Sequence, residues 1–310
     1  MQAQELNKQH GINGHLVFKD ENGLVMAHIS NQLAACKVSL YGAQVLSYVP
    51  KGCDDLLLMS TASAMEEGKA IRGGIPLCFP WFGPNKENPD APKHGFARLL
   101  NWEVKSTQQL VTGATRLVLA LRDSVLTRQW WDFRFTSELV IEAGEELSVK
   151  WQVKNLSEVP FSITNALHSY FRVGDISKVR IEGLRGVPYM EEIRSDEAFA
   201  GDDDAIVIQR EIDRSYTDTT ATCQIKDATL SRTIVVKKSG SQSTVVWNPW
   251  ADLSRQMTDL GDEDYRHFVC VEAANVGHNA LVIEPQAEHV TQMSVSLAKE
   301  PVTDSEGMLV

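Results

Sequence analysis

The sequence predicts an all-β protein, a large antiparallel β-sandwich with a few short helices. Hydrophobic and polar residues alternate with a period of two through much of the chain, which is typical of half-buried strands. Strand and helix patterns do not alternate as they would in a fold built from βαβ units. No long segment rich in Pro, Gly and Ser divides the chain, so we expect one domain over residues 1–310.

Strand candidates follow one another along the chain, each with an apolar face and a polar face. The clearest covers 147–154, where Leu147 and Trp151 lie opposite Ser148 and Lys150. Turn residues rich in Gly, Asn and Ser separate several of the candidates. In chain order the predicted strands are 23–30, 34–40, 116–122, 133–142, 147–154, 179–184, 205–210, 233–238, 243–247, 267–272 and 291–297.

One segment departs from the period of two. Leu253, Met257 and Leu260 recur at i, i+4 and i+7, which is the spacing of one face of a helix. Gly261 follows directly and is a common residue at the end of a helix. The sequence therefore predicts a short helix here that ends near Gly261.

Composition excludes several classes of partner. The chain has 310 residues, 43% of them hydrophobic and 23% charged, as in ordinary globular proteins. Its formal net charge of −11 argues against binding nucleic acid or an anionic membrane. Residues 1–14 are polar and lack the apolar core of a signal peptide, and no apolar run is long enough for a bilayer. We expect a cytoplasmic monomer.

The cysteines and histidines give no metal or disulfide pattern. Five scattered cysteines are an odd number without a CxxC pair, so no disulfide framework is indicated. No HExxH motif and no histidine cluster with ligand spacing occurs, and we expect neither a catalytic metal nor a cofactor. The absence of a GxxxxGK[ST] motif leaves nucleotide triphosphate chemistry without support.

The segment 71–98 combines features that regular strands lack. Its sequence IRGGIPLCFPWFGPNKENPDAPKHGFAR holds paired glycines, several prolines, two arginines and the aromatic residues Phe79, Trp81 and Phe82. Gly73 and Gly74 permit close backbone approach or positive φ, and the prolines stiffen the loop. An aromatic platform with polar neighbours suits the apolar face of a pyranose ring, although a rigid loop packed on the sandwich explains the composition equally well.

Arg72 and Arg98 lie beside glycine and aromatic residues and not among other charges. This setting suits bidentate contact with a phosphate, because a guanidinium presents paired donors to an anion. Arginine also serves packing and solubility, and from the residues alone that ordinary role is the simpler interpretation.

His168 and Glu272 are the candidates for proton transfer. Strand alternation predicts that His168 shares a face with Ala166 and Tyr170, and its side chain titrates nearest neutral pH. Glu272 ends the apolar run 268–271, so partial burial would raise its pKa toward that of a general base. A structural histidine and a solvent-facing glutamate remain the alternatives.

A second carboxylate would suit a different reaction. Glycoside hydrolases use two carboxyl groups at a defined separation, and Glu272 with Asp213 could supply them. Separation in sequence does not give the separation in space, so a glycoside hydrolase stays open as an alternative.

Several motifs occur in order along the chain, from about Leu33 to Leu297. They are IRGGIPLCFPWFG, HGFAR and Trp102, NALHSYFRV around His168, IDRSYTD around Asp213, WNPW around Trp247, and FVCVEAANV around Glu272. These motifs resemble those of the glucose-6-phosphate 1-epimerases, the hexose-phosphate branch of the aldose 1-epimerases. Two departures are small: Ser169 stands where threonine is frequent, and Ala273 and Ala274 stand where many members carry Pro-Gly.

The resemblance implies a galactose-mutarotase-like supersandwich that binds a small-molecule sugar phosphate in a cleft on one sheet. His168 matches the general acid of the family and Glu272 its general base. Arg72 and Arg98 match the arginines expected to hold the 6-phosphate.

Three further residues match positions that hold the sugar. His94 and Asp213 match positions that hold hydroxyl groups, and His94 is also expected to help position the ring oxygen. Trp247 matches an aromatic wall of the site.

These matches imply interconversion of the α and β anomers of a hexose 6-phosphate, with glucose 6-phosphate as the expected substrate. Glu272 would take the proton of the anomeric hydroxyl while protonated His168 donates to the ring oxygen. Two alternatives beyond the hydrolase remain, a mutarotase for free aldoses and a non-catalytic sugar-phosphate sensor.

Overall fold

Antiparallel pairing builds the whole framework. The computed structural model describes residues 2–191, 197–202 and 204–299, and all paired strands within these ranges run antiparallel. The predicted domain 1–310 extends beyond these ranges, and its remaining residues lie outside the described part of the chain. The predicted fold class, an antiparallel β-sandwich with few helices, is confirmed.

Twenty-three strands are present in the described residues, and each of the eleven predicted strands overlaps one of them. In chain order the first are β1 (Leu16–Glu21), β2 (Leu24–Ser30), β3 (Ala34–Ser39), β4 (Gln44–Pro50), β5 (Leu77–Cys78), β6 (Glu103–Gln109), β7 (Thr115–Arg122), β8 (Phe135–Ala143), β9 (Leu147–Asn155), β10 (Phe161–Ile163), β11 (Asn165–Leu167) and β12 (Tyr170–Arg172). The others are β13 (Val179–Glu182), β14 (Tyr189–Glu191), β15 (Glu197–Phe199), β16 (Ile206–Val207), β17 (Ile212–Tyr216), β18 (Cys223–Asp227), β19 (Arg232–Ser239), β20 (Ser243–Asn248), β21 (Phe268–Asn275), β22 (Leu281–Ile283) and β23 (Glu288–Leu297).

Three short α-helices lie outside the sheets. They are α1 (Ala3–His10), α2 (Val125–Trp130) and α3 (Trp250–Gln256), and single 3₁₀ turns occupy Ala97–Leu99, Ile176–Lys178, Asp264–His267 and Gly277–Asn279. A capping box starts α2, in which Ser124 Oγ accepts from the N–H of Thr127 while Thr127 Oγ1 accepts from the N–H of Ser124. None of the described helices is long and apolar enough to cross a membrane.

The predicted helix near Leu253 exists, but it ends earlier than expected. Met257 is already extended, and its N–H bonds back to the carbonyls of Leu253 and Ser254. Gly261 has another role, because its N–H donates to Asp264 Oδ2 at 3.0 Å. A Cβ at Gly261 would lie only 2.8 Å from that carboxylate oxygen. A larger residue here would displace this side chain, so the close approach and not the end of the helix accounts for the glycine.

Two large sheets form the sandwich. The nine-stranded sheet has the order β16-β13-β18-β19-β23-β9-β8-β7-β6. The eight-stranded sheet has the order β15-β14-β17-β20-β21-β11-β5, and β12 pairs with the far end of β21. A four-stranded sheet, β1-β2-β3-β4, and the pair β10-β22 complete the described framework.

The neighbouring strands β8 and β9 of the nine-stranded sheet follow the period of two seen in the sequence. In β8 and β9 every second residue is buried, and Trp151 and Phe135 are fully enclosed in the core between the sheets. Each buried side chain of this size contributes roughly 1.5–3 kcal/mol of transfer free energy. This burial fixes which face of the sheet points outward.

Three buried polar side chains join the two large sheets. The Asn165 side-chain N–H donates to Thr291 Oγ1 at 3.1 Å, and Asn275 donates to the Asn165 amide oxygen at 3.0 Å. Asn165 and Asn275 belong to the eight-stranded sheet, whereas Thr291 lies on β23 of the other. All three are fully buried, so these bonds hold the relative position of the sheets in a low-dielectric interior.

Candidate active site

A row of side chains crosses four neighbouring strands of the eight-stranded sheet. Tyr170 on β12 lies opposite Cys270 on β21, Cys270 lies opposite Trp247 on β20, and Trp247 lies opposite Asp213 on β17. Directly opposed residues of antiparallel strands point to the same face. Tyr170, Cys270 and Trp247 pack together in a cluster separate from the main core, so this face is the outer one.

Glu272 lies on the same face of β21 as Cys270, two residues further along. It is 1% exposed, and its Oε1 lies 3.4 Å from Nδ1 of His168. The apolar run predicted that Glu272 is partly buried. In the structure its burial is nearly complete, because all of β21 is buried. The structure places the two predicted proton-transfer residues side by side.

His168 does not lie in a strand, which corrects the sequence-based prediction. It occupies the break between β11 and β12, where its N–H donates to the carbonyl of Pro76 at 2.9 Å. Its ring nevertheless stacks on Tyr170 with centroids 4.9 Å apart and planes 9° from parallel. Phe82 is near-parallel at 6.4 Å, and Trp247 presents an edge at 6.0 Å. These rings fix the plane of the imidazole.

The surroundings of His168 oppose its protonation. Burial lowers its pKa well below the ordinary value, and the positive charges of Arg72 and Arg98 lower it further. In the free protein the imidazole is therefore neutral at pH 7, whereas the expected mechanism begins from a protonated ring.

The paired glycines bring the segment after Arg72 close to the strands beneath it. Gly73 and Gly74 have φ values of +116° and +60°, as the sequence suggested. A Cβ at Gly74 would lie 2.1 Å from the carbonyl oxygen of Val45. The carbonyl of Gly74 accepts from the N–H of Tyr170 at 2.8 Å, so this approach aligns β12 with the loop.

The rest of the loop folds back on itself and presents His94. The N–H of His94 donates to the Gly83 carbonyl at 2.7 Å, and the N–H of Gly83 donates to His94 Nδ1 at 3.1 Å. The Trp81 indole N–H closes the loop by donating to the carbonyl of Pro92 at 2.9 Å. His94 itself has a φ of +64°, an uncommon conformation outside glycine.

These contacts define the chemistry of His94. Because Nδ1 accepts a backbone hydrogen bond, the neutral ring carries its proton on Nε2. Burial lowers the pKa of His94 well below its ordinary value, and His168 and Arg98 add to the effect. The His94 and His168 rings meet edge to face at 5.6 Å. His94 is thus a neutral hydrogen-bond donor beside His168.

Arg72 is held in a fixed orientation by two partners. Its Nε and Nη2 donate to Asp259 Oδ2 at 3.1 and 2.8 Å, and its Nη1 donates to the Tyr170 hydroxyl at 2.9 Å. Its side chain is 18% exposed. A guanidinium has five N–H donors, so these contacts leave two for a ligand.

Arg98 is less completely satisfied. Its Nη2 donates to the carbonyl of Lys93 at 2.7 Å, but its Nε is buried and has no hydrogen-bond partner among the described residues. Burial and the nearby charge of Arg72 lower the pKa of Arg98. A buried donor without a partner costs free energy, and an anion would satisfy it.

All seven residues singled out from the sequence lie in this one region. Asp213 and Trp247 belong to the row, His168 and Glu272 to the buried pair, His94 to the loop, and Arg72 and Arg98 to its two ends.

The structure adds residues that sequence reasoning missed. Tyr170 and Cys270 carried a usable signal, because alternation places Tyr170 two residues after His168 and Cys270 two residues before Glu272. Asp259 gave none, since 187 positions separate it from Arg72. The five cysteines are unbridged, and no disulfide framework was expected.

Comparisons with known proteins show the family to which the chain belongs. The aldose 1-epimerase family model matches residues 26–296. The chain is 33% identical over 280 residues to an Escherichia coli K12 protein named "putative glucose-6-phosphate 1-epimerase", covering 90% of this chain and 92% of that protein. It is 32% identical over 287 residues to a protein of the same name from Cenchrus ciliaris, covering 90% and 86%.

A solved structure supports the same relationship. The crystal structure of a "putative mutarotase" from Salmonella typhimurium superposes with a TM-score of 0.87 and 30% identity, covering 96% of this chain and all of that one. The family model covers most of the chain, and the motifs quoted above fall within its range. The chain belongs to the aldose 1-epimerase family.

Proposed function

We propose that this protein interconverts the α and β anomers of a hexose 6-phosphate, with glucose 6-phosphate as the preferred substrate. The names of its relatives support the substrate class. The observation that carries the proposal is the position of two partly buried arginines beside a buried His-Glu pair, in a chain of net charge −11. A local positive site in an acidic protein favours an anionic substrate.

Arg72 and Arg98 are the phosphate ligands in this proposal. Arg72 is oriented by Asp259 and Tyr170 and retains two donors, while Arg98 has a buried Nε that no described residue accepts from. Such donors match the oxygens of a phosphate. The phosphate contacts provide affinity and orientation at a distance from the reacting carbon.

Glu272 and His168 perform the proton transfers. Glu272 takes the proton of the anomeric hydroxyl while His168 donates a proton to the ring oxygen, and the ring opens to the aldehyde. Rotation about the C1–C2 bond presents the other carbonyl face. Reclosure with the roles reversed gives the other anomer and restores both side chains. Their 3.4 Å separation lets both act on groups attached to a single carbon.

Substrate binding favours the protonation of His168. The free protein keeps this ring neutral through burial and the charges of Arg72 and Arg98. A phosphate dianion between the arginines offsets their charges, so the pKa of His168 rises in the complex. Burial is the larger cause and remains, so the phosphate removes only the part of the lowering that comes from the arginines.

The remaining residues hold the sugar. His94 donates from Nε2 to a hydroxyl or to the ring oxygen, and Asp213 accepts from hydroxyl groups. Trp247 packs against the apolar face of the pyranose from its place in the cross-strand row. None of these roles calls for a cofactor.

The same proposal covers the cellular setting. We expect a single-domain cytoplasmic monomer, in line with five unbridged cysteines, four of which are buried. Light scattering of the purified protein measures its oligomeric state, and a dimer would contradict the expected monomer.

The test is anomer exchange measured by NMR exchange spectroscopy at neutral pH. Glucose 6-phosphate, glucose and galactose are compared with wild type, Glu272→Gln and the control Glu182→Gln. Glu182 lies on β13 and pairs with Lys226 at the surface. We expect rapid exchange of the phosphate ester, a loss of about 10²–10⁴-fold in Glu272→Gln, and no change in the control.

Other outcomes identify the alternatives. Faster exchange for free sugars than for the ester would indicate a mutarotase for free aldoses. Tight binding of the ester without any exchange would indicate a sensor. Release of reducing sugar from a glycoside, lost in Asp213→Asn, would indicate a hydrolase.

A further inference from the structure

Three buried side chains beside the proposed reacting carbon form a set of potential metal ligands. Their spacing in the sequence does not match a known metal-binding motif. A ring nitrogen of His168, Sγ of Cys270 and a carboxylate oxygen of Glu272 all lie within 4.8 Å of one another. Imidazole nitrogen, thiolate sulfur and carboxylate oxygen are the three donor types that Zn²⁺ binds in proteins. Neither the catalytic proposal nor the sugar contacts assign a role to Cys270.

The separation of these atoms is close to that of a tetrahedral zinc site. Zinc binds nitrogen and oxygen at about 2.0–2.2 Å, so two such ligands of a tetrahedral ion lie about 3.3–3.5 Å apart. His168 Nδ1 and Glu272 Oε1 are 3.4 Å apart. Cys270 must bring Sγ to about 3.6 Å from each of them, which from separations of at most 4.8 Å is a shift of up to about 1.2 Å.

The backbone favours this convergence. Cys270 and Glu272 are two residues apart on β21, so both side chains leave the same face of one strand. The His168 ring is fixed by stacking on Tyr170. Ligands on a rigid sheet need little reorganisation to surround an ion.

The net charge of the occupied site determines whether a cation can bind beside the two arginines. Arg72 and Arg98 raise the local positive potential, which opposes a bare cation. Zinc displaces the proton of a coordinating thiol, which passes to solvent. A Cys270 thiolate and a Glu272 carboxylate together carry two negative charges and neutralise Zn²⁺. Relative to the metal-free site with a neutral thiol and a Glu272 carboxylate, binding therefore adds one positive charge beside the arginines, half that of a bare Zn²⁺ ion.

We propose that His168, Cys270 and Glu272 form an inhibitory zinc site, in which the metal takes three protein ligands and leaves its fourth position open to water. Bound zinc withdraws both the acid and the base from the sugar, so the protein loses its activity while its fold is retained. The inhibition rests on the proposed function, whereas the binding of the metal does not.

Cobalt(II) provides a test that is independent of activity. Metal-free protein is titrated with Co²⁺ in the absence of thiol reductants, and a thiolate-to-cobalt charge-transfer band is recorded in the near ultraviolet. We expect one equivalent to produce this band together with visible bands of a tetrahedral ion, and Zn²⁺ to abolish both. Cys270→Ser and Cys270→Ala are expected to lose the band.

Cys78→Ser is the matched control. Cys78 is fully buried on β5 and lies outside the three-residue cluster. Its variant is expected to keep the band and its affinity for zinc. Loss of Cys270, a direct ligand, is expected to weaken zinc binding by more than the roughly 10–100-fold caused by loss of an outer partner.

Anomer exchange is then measured with and without Zn²⁺. We expect the wild type to be inhibited, EDTA to restore its rate, and Cys270→Ser to keep its own metal-free rate in the presence of zinc. A wild type without the charge-transfer band, or Cys270 variants that bind or respond to zinc like the wild type, would overturn the proposal. A protein inactive on every sugar that still gives the Cys270-dependent band would contradict only the proposed function.

Discussion

Replacing Arg72 by methionine tests the phosphate assignment directly. Methionine keeps much of the aliphatic length of arginine but removes the guanidinium that bonds to Tyr170 and Asp259. We expect kcat/KM for glucose 6-phosphate to fall strongly and kcat/KM for free glucose to change far less, because only the ester carries the group that Arg72 binds.

The size of the effect follows from the donors that Arg72 has left. Three of its five N–H groups bond to Asp259 and Tyr170, leaving two for the phosphate. A hydrogen bond to a charged group contributes about 1.5–3 kcal/mol, so two at the lower value give about 3 kcal/mol. That corresponds to a loss of roughly 10²-fold in kcat/KM.

The assay compares the ratio of kcat/KM values for the ester and the free sugar across variants. Arg116→Met is the control, because Arg116 pairs with Glu142 on the nine-stranded sheet. Arg72→Lys restores the charge without the planar fork and is expected to recover only part of the loss. Circular dichroism and Tm establish that each variant is folded.

A specific result would refute the reasoning. If Arg72→Met lowers kcat/KM for glucose and glucose 6-phosphate by the same factor, Arg72 does not select the phosphate. Its contacts with Tyr170, which stacks on His168, would then explain its importance through the position of the acid.

Two further predictions concern pH and the loop. The pKa of His168 is lowered below 6.5 in the free protein. We therefore expect kcat/KM for glucose to fall by up to about tenfold per pH unit above that pKa, whereas kcat for glucose 6-phosphate stays level to higher pH. Identical, flat pH profiles for the two sugars would contradict a protonated acid. Gly95→Ala is expected to lower Tm by at least about 2 °C more than Gly83→Ala. Both residues have a φ of +75°, but only at Gly95 would a Cβ lie 2.0 Å from the Phe79 carbonyl oxygen. Equal melting temperatures of the two variants would show that the loop adjusts freely.

Strands with one buried face were predictable from the sequence. The alternation in β8 and β9 survives in the structure because one face packs in the core and the other meets solvent. The edge strand β6 was missed, since Glu103–Gln109 has almost no buried side chain and therefore no apolar period. In β21 both faces are buried, so its run of apolar residues marked a strand but not its orientation.

The site was predictable only where motifs carried it. Family motifs pointed to His168 and Glu272 as candidates, but the break that removes His168 from a strand depends on its bond to Pro76. The pairing of Arg72 with Asp259 depends on the placement of the loop after α3. Sequence periodicity is local and does not encode such contacts. The neutral state of His168 likewise depends on burial and on two arginines from elsewhere in the chain.

The row from Tyr170 to Asp213 has a consequence for how this site can change over time. Its members stand on successive strands, about 4.8 Å apart, so their spacing is set by backbone hydrogen bonds and not by loops. Slipping one strand by a single residue would turn its site residues into the core and bring core residues out. The stability of the sheet and the geometry of the site therefore depend on the same strand register. New substrate preferences can arise by exchanging one side chain of the row, because the spacing of the others is preserved.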